Sequence, residues 1–227
     1  MKSVGSSGEQ PRPRLLLVGF WVCIVISVAV VIRRLFALAH PAHSATPQLA
    51  ALDAVFASHA ALTLAHIIPA LLFVVLLPLA IFRTPAGTVW PERLLFPLGG
   101  VVGVTAYAMS VYSVGGWVER SAVLLFNSLF LFWLFRAYRH RQHGELLLKR
   151  RCLTRAIAIL LGIATTRPVM GIFFATSPLT HLEPRQFFGI AFWIGFSINT
   201  AIIEIWLHRQ DRRAQQQLMP IQALRNQ

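Results

Sequence analysis

The chain has 227 residues, 56% of them hydrophobic and 13% charged, with a mean hydropathy of +0.63 and a formal charge of +13. A soluble domain is about a quarter charged, so this composition excludes a soluble enzyme, a nucleic-acid-binding module and a disordered chain. Residues 54–82 and 94–118 carry no Lys, Arg, Asp or Glu, and roughly 20 apolar residues cross a bilayer. The expected fold class is therefore all-α, a polytopic membrane helix bundle of about six transmembrane helices.

In chain order, the sequence predicts a cytoplasmic tail over 1–14 and a six-helix transmembrane domain over 15–208. A basic cytoplasmic tail follows over 209–227. The first span runs from Leu15 to about Ile32, with Arg33 and Arg34 snorkelling at its far end and a polar linker from His40 to Asp53 behind them. The second span is Ala54–Phe82, with Pro69 and Pro78 inside it, and 83–93 forms a loop. The third runs from Leu94 to about Gly115, where Gly115–Gly116 turns the chain into the fourth, Ser121–Phe135. A basic stretch, 136–151, reads as a loop before the fifth span, Cys152 to about Ala175. The sixth covers Gln186–Leu207.

Charge orients the bundle. With the N-terminus inside, 15 Lys and Arg fall in inner segments and four outside (Arg33, Arg34, Arg120 and Arg185). That asymmetry predicts both termini on the cytoplasmic side of an inner membrane, with the basic clusters against anionic lipid and no nucleic-acid partner. Cys23 and Cys152 match no metal or redox spacing and read as small apolar fillers.

Polar residues inside the spans are costly unless they face the bundle interior. His59, Thr63 and His66 form one stripe on the second span. Counted at 1.5 Å per residue, His66, Tyr107, Asn127 and Arg167 lie at one depth on four different helices, which points to an intramembrane polar site. Arg167 finds no acidic residue at its level by this count, so its acceptors are carbonyls, Asn127, Tyr107 or an anionic ligand. Pro69 and Pro168 each free a carbonyl one turn back. Glu204 pairs with Arg155 near the inner face.

Three functions are open on these residues. His66, with His59, is the candidate cofactor site for b-type haem in a redox or quinone-interacting protein, although the two share one helix. Arg167, Asn127 and Tyr107 are the candidate ligand site of a transporter for a small anionic solute. The third reading is an accessory or scaffold subunit, with a membrane-protein partner or a second copy of itself. No catalytic triad, phosphate loop or His-Glu-x-x-His motif is present, so no catalytic residue and no metal site is assigned. His40 and His43 form at most a weak surface pair.

The segment from His143 through Leu153–Thr154 resembles a signature of a bacterial family of predicted membrane proteins, the domain-of-unknown-function 2306 family, with Leu147 and Lys149 at its Met and Arg positions. The stretch His66–Arg83 resembles that family's second helix, and Asn199 with Glu204 its last-helix Asn-x-x-x-x-Glu pattern; the likeness extends over about 53–208. The stretch Pro91–Phe96 departs from the family's His-Arg-x-x-Gly-Arg run, and Leu161 stands where an Arg is usual. The resemblance implies a multi-helix fold in a bacterial inner membrane and no established activity.

Overall fold

The computed structural model describes residues 14–40, 47–82 and 90–225. Seven helices follow in chain order: α1 (Arg14–Ala39), α2 (Pro47–Ser58), α3 (Ala60–Phe82), α4 (Trp90–Ser110), α5 (Gly116–Gln142), α6 (Leu146–Thr180) and α7 (Pro184–Arg225). Among the described residues there is no strand, and six of the helices, all but α2, are long and apolar enough to cross a membrane. The protein is an all-α, multi-pass helix bundle.

The helices outrun the apolar runs that predict them. The basic stretch 136–151 is helical except for a three-residue connection, His143–Glu145, in which Gly144 adopts φ +74°. Arg, Lys and Gln are good helix formers, and a helix need not end where it leaves the lipid. The segment after 208 likewise continues α7, where Arg151 of α6 pairs with Asp211. The linker expected over 40–53 is helical from Pro47 as α2, and the chain breaks at His59 before α3. Prolines stay inside α3, α4 and α6, as neighbouring helices permit in membranes.

The connections define two ends of the bundle. The short loop over 111–115 and the α6–α7 turn at His181 lie at one, called here the Gly115 end; the His143–Glu145 connection marks the other, the Gly144 end. The main core fills the Gly144 half, with Phe73, Leu77 and Leu95 fully buried against Phe130 and Leu134 of α5 and Ala156 of α6. A second cluster near the Gly115 end holds Met170, Phe187 and Phe188, with Phe173 stacked on Phe187 at 5.3 Å.

Helices α6 and α7 share the most extensive interface. A Cβ at Gly195 would sit 2.6 Å from the backbone nitrogen of Thr166, so the two helices touch through main chain there. Polar pairs lock the same interface. Arg155 donates two hydrogen bonds to Glu204, at 2.6 and 2.9 Å, and Asn199 accepts from Thr165 Oγ1 at 2.7 Å while donating to the Ala158 carbonyl at 3.2 Å. The Glu204–Arg155 pairing is the one expected from sequence.

Helix α1 packs on α2, α3 and α6 and leaves most of its length uncovered, with Val18, Val22 and Val25 exposed as a lipid-facing surface. Arg33 and Arg34 do not snorkel into lipid. Both pair with Asp53 of α2, Arg33 Nη2 at 3.0 Å and Arg34 Nη1 at 2.5 Å, and Arg34 lies 3.8 Å over the Phe56 ring. Asp53 is buried, and a buried carboxylate needs such partners.

Candidate functional site

A cavity of about 250 Å³ lies between α1, α3, α4, α5 and α6, with Phe192 and Phe196 of α7 closing one side. Its walls are largely apolar. Polarity comes from the charged or imidazole side chains Arg34 of α1, His66 of α3, Glu119 of α5 and Arg167 of α6, from Asn127 of α5, and from hydroxyls that include Ser27 of α1, Thr63 of α3 and Ser110 of α4.

Most of these polar groups are already committed within the chain. His66 Nδ1 is 2.9 Å from Thr105 Oγ1, which itself donates to the Val101 carbonyl at 2.7 Å; a hydroxyl has one proton, so His66 is the donor to Thr105 in that arrangement. Asn127 donates one hydrogen bond to the Gly103 carbonyl at 2.9 Å, across the α4–α5 contact. Glu119 Oε2 accepts the Gly115 N–H at 2.6 Å, in the first turn of α5, where the helix dipole favours a carboxylate. Arg34 is held by Asp53.

Arg167 and Ser27 are different. Among the described residues, the buried side-chain polar atoms without a hydrogen-bond partner are Arg167 Nε and Ser27 Oγ, and both residues line this cavity. The guanidinium's Nη1 makes only a long contact, 3.8 Å, to Met170 Sδ. Arg34 and, with opposite sign, Glu119 are near enough to act on Arg167 electrostatically, yet among the described residues no carboxylate lies within ion-pair distance of it. Pro168, next in the chain, removes the helix hydrogen bond that the Ala164 carbonyl would accept, and Ala164 is also on the cavity wall. Buried polar groups are nearly always satisfied, so these two residues on the wall of one cavity are exceptions among the described residues.

Of the residues singled out from sequence, Thr63, His66, Asn127 and Arg167 line the cavity, and His59 and Tyr107 are not among its lining. The Tyr107 hydroxyl is 2.6 Å from Ser128 Oγ, an α4–α5 contact. His59, at the break between α2 and α3, stacks on Tyr112 with ring centroids 3.7 Å apart and meets Ser58 Oγ at 2.9 Å. Two lining charges escaped the sequence reading. Glu119 precedes Ser121, where the apolar pattern starts the fourth span, although a Glu in a helix's first turn is a recognisable signal. Arg34 was assigned to the lipid.

Haem does not suit this geometry. A dry cavity of about 150 Å³ accepts benzene, so 250 Å³ admits a molecule of roughly ten heavy atoms, and a tetrapyrrole is several times larger. The second histidine lies off the cavity as well. Among the described residues no three His, Cys, Asp or Glu side chains gather as metal ligands; His43, half of the surface pair considered from sequence, falls outside them.

The family described as domain of unknown function 2306, predicted membrane protein, matches residues 92–207, just over half of the chain. The match spans α4 to α6 and α7 as far as Leu207; the likeness of His66–Arg83 to a family helix lies outside it. No curated protein and no solved structure matches the chain.

Proposed function

We propose that this chain, which belongs to the domain-of-unknown-function 2306 family of predicted membrane proteins, binds a small anionic solute inside the bilayer and carries it across. The observation that supports the reading is the pair of orphaned donors, Arg167 Nε and Ser27 Oγ, on the wall of one apolar cavity. An anion on a planar guanidinium accepts its hydrogen bonds and offsets the cost of an arginine in lipid, roughly 2.5–3.5 kcal/mol at a helix centre. Apolar walls then select a solute with an apolar body.

The charge distribution supports a bacterial inner-membrane location with both termini cytoplasmic. Arg136, Arg139, Arg141 and the Lys149–Arg151 run gather at the Gly144 end, which the positive-inside rule assigns to the cytoplasm. The cavity then lies in the outer half of the membrane.

A thermal-shift titration of the purified protein with acetate, benzoate, phosphate and chloride tests the reading. A ligand at 100 times its Kd stabilises the folded state by about 2.7 kcal/mol, so at least one anion should raise the melting temperature by several degrees. Arg167→Leu should abolish that rise and Ser27→Ala should weaken it. If none of the four anions stabilises the wild type, the protein is not an anion carrier, and a scaffold role takes precedence.

A further inference from the structure

We propose that Arg34 completes the anion site: the solute is a monocarboxylate with an apolar body, and its carboxylate lies between the guanidiniums of Arg34 on α1 and Arg167 on α6. This rests on the anion-site reading above and adds a second binding residue and the solute's charge class.

Both guanidiniums line the one cavity, and α1 packs directly on α6. Of the charged neighbours that act on Arg167, Arg34 acts most strongly, ahead of Glu119, and its effect is repulsive. Two cations therefore face one largely apolar space, and among the described residues no carboxylate lies within ion-pair distance of Arg167. Like charges repel with little screening in a low-dielectric interior. One anion between them replaces that repulsion with two attractions.

Arg34 is held in place without being neutralised. Its guanidinium lies 3.8 Å over the ring of Phe56, which is also on the cavity wall. A planar guanidinium stacked on an aromatic face directs its N–H groups outward along its edges. Asp53 has a single charge and divides it. Arg33 Nη1 and Nη2 reach its two oxygens at 3.4 and 3.0 Å, and Arg34 Nη1 shares Oδ1 at 2.5 Å.

Counting these charges selects a monoanion. Arg33, Arg34 and Arg167 stand against Asp53 and Glu119, which leaves one positive charge unmatched. One carboxylate restores neutrality with no change of protonation. A dicarboxylate would press its second anion against apolar walls or Glu119, which is costly. By comparison with the benzene-sized cavity of about 150 Å³, a space of 250 Å³ also holds the ring or short chain that carries the carboxylate.

Calorimetric titration of the purified full-length protein with benzoate and with succinate tests the proposal. The wild type should bind benzoate at least about tenfold more tightly than succinate, and Arg34→Gln should weaken benzoate by about tenfold or more. Asp53 keeps its pair with Arg33 in that variant. Asp53→Asn releases the charge of Arg34 and should tighten benzoate binding severalfold. A purely structural latch predicts the opposite, weaker binding in both variants. Benzoate affinity unchanged in Arg34→Gln, or weakened alike in Arg34→Gln and Asp53→Asn, refutes Arg34 as a binding residue and leaves the Arg167 site standing. Succinate binding as tight as that of benzoate overturns the charge class. No benzoate binding by the wild type, or equal binding by Arg167→Leu, overturns both this proposal and the anion reading beneath it. Where either variant fails to fold, Arg34→Lys decides: it leaves Asp53 a second cation but loses the planar fork, so benzoate should weaken severalfold, and an unchanged affinity refutes the contact.

Discussion

Replacing Arg167 with leucine separates a functional charge from a structural one, because the two roles predict stability changes of opposite sign. In the empty protein the guanidinium's Nε has no partner and Nη1 has only the sulfur of Met170 at 3.8 Å. Exchanging buried ionic groups for well-packed apolar side chains is often neutral or stabilising, by up to about 4 kcal/mol. Two effects reduce the gain: the shorter side chain enlarges the cavity, and Glu119 loses its compensating charge. A net stabilisation of about 1–2 kcal/mol remains, equivalent to a rise of about 2–8 °C in the melting temperature of a chain this size. Melting in one detergent, without added anion, measures it. A fall of more than about 5 °C would show that Arg167 holds the helices together, and would refute the argument from its unmade hydrogen bond.

Asp53→Asn leaves Arg34, 13% exposed, without its anion. Breaking a buried pair costs about 3–5 kcal/mol; with the half-exposed Arg33 contributing little, about 2–3 kcal/mol is expected, read as a lower melting temperature. Gly195→Ala should cost about 1–3 kcal/mol by forcing α7 away from Thr166, whereas Gly100→Ala, with open space around its Cβ, should be neutral or stabilising by up to about 1 kcal/mol; equal melting of the two variants would mean the α6–α7 contact has slack. For orientation, a cysteine at Gln48 in a background lacking Cys23 and Cys152 should react with an impermeant reagent in intact cells, and one at Gln216 should not. The reverse pattern inverts the topology.

Sequence made the bundle legible because hydrocarbon imposes a strong constraint: two uncharged runs of more than 20 residues have few other destinations. Arg167 stood out for the same reason, since a guanidinium far from either end of a span is too costly to be incidental. The neighbours of Arg167 were harder to reach. Counting depth from span ends assumes upright helices of equal length, but α6 has 35 residues, about 52 Å by helical rise, well beyond a hydrocarbon core of roughly 30 Å. That error hid Glu119, which sits in the first turn of α5 and yet lines the cavity with Arg167. It also grouped Tyr107 with the site, although its hydroxyl is spent on Ser128. The pairing of Arg33 and Arg34 with Asp53 depends on α2 packing beside α1, which no periodicity in either segment encodes.

The boundary of the family match separates two contributions to the site. Arg167, Glu119 and Asn127 lie within residues 92–207, on α5 and α6; Ser27, Arg34 and His66 lie before it, on α1 and α3. Helix α1 packs on both α3 and α6 and lines the cavity with Ser27 and Arg34. Without that wall Arg167 would face lipid, where an arginine survives only by reaching a head group. The first three helices therefore turn a costly cation of the matched segment into an enclosed donor. If the anion-site proposal holds, their residues, Ser27 above all, are the place to look for what would set the choice of solute.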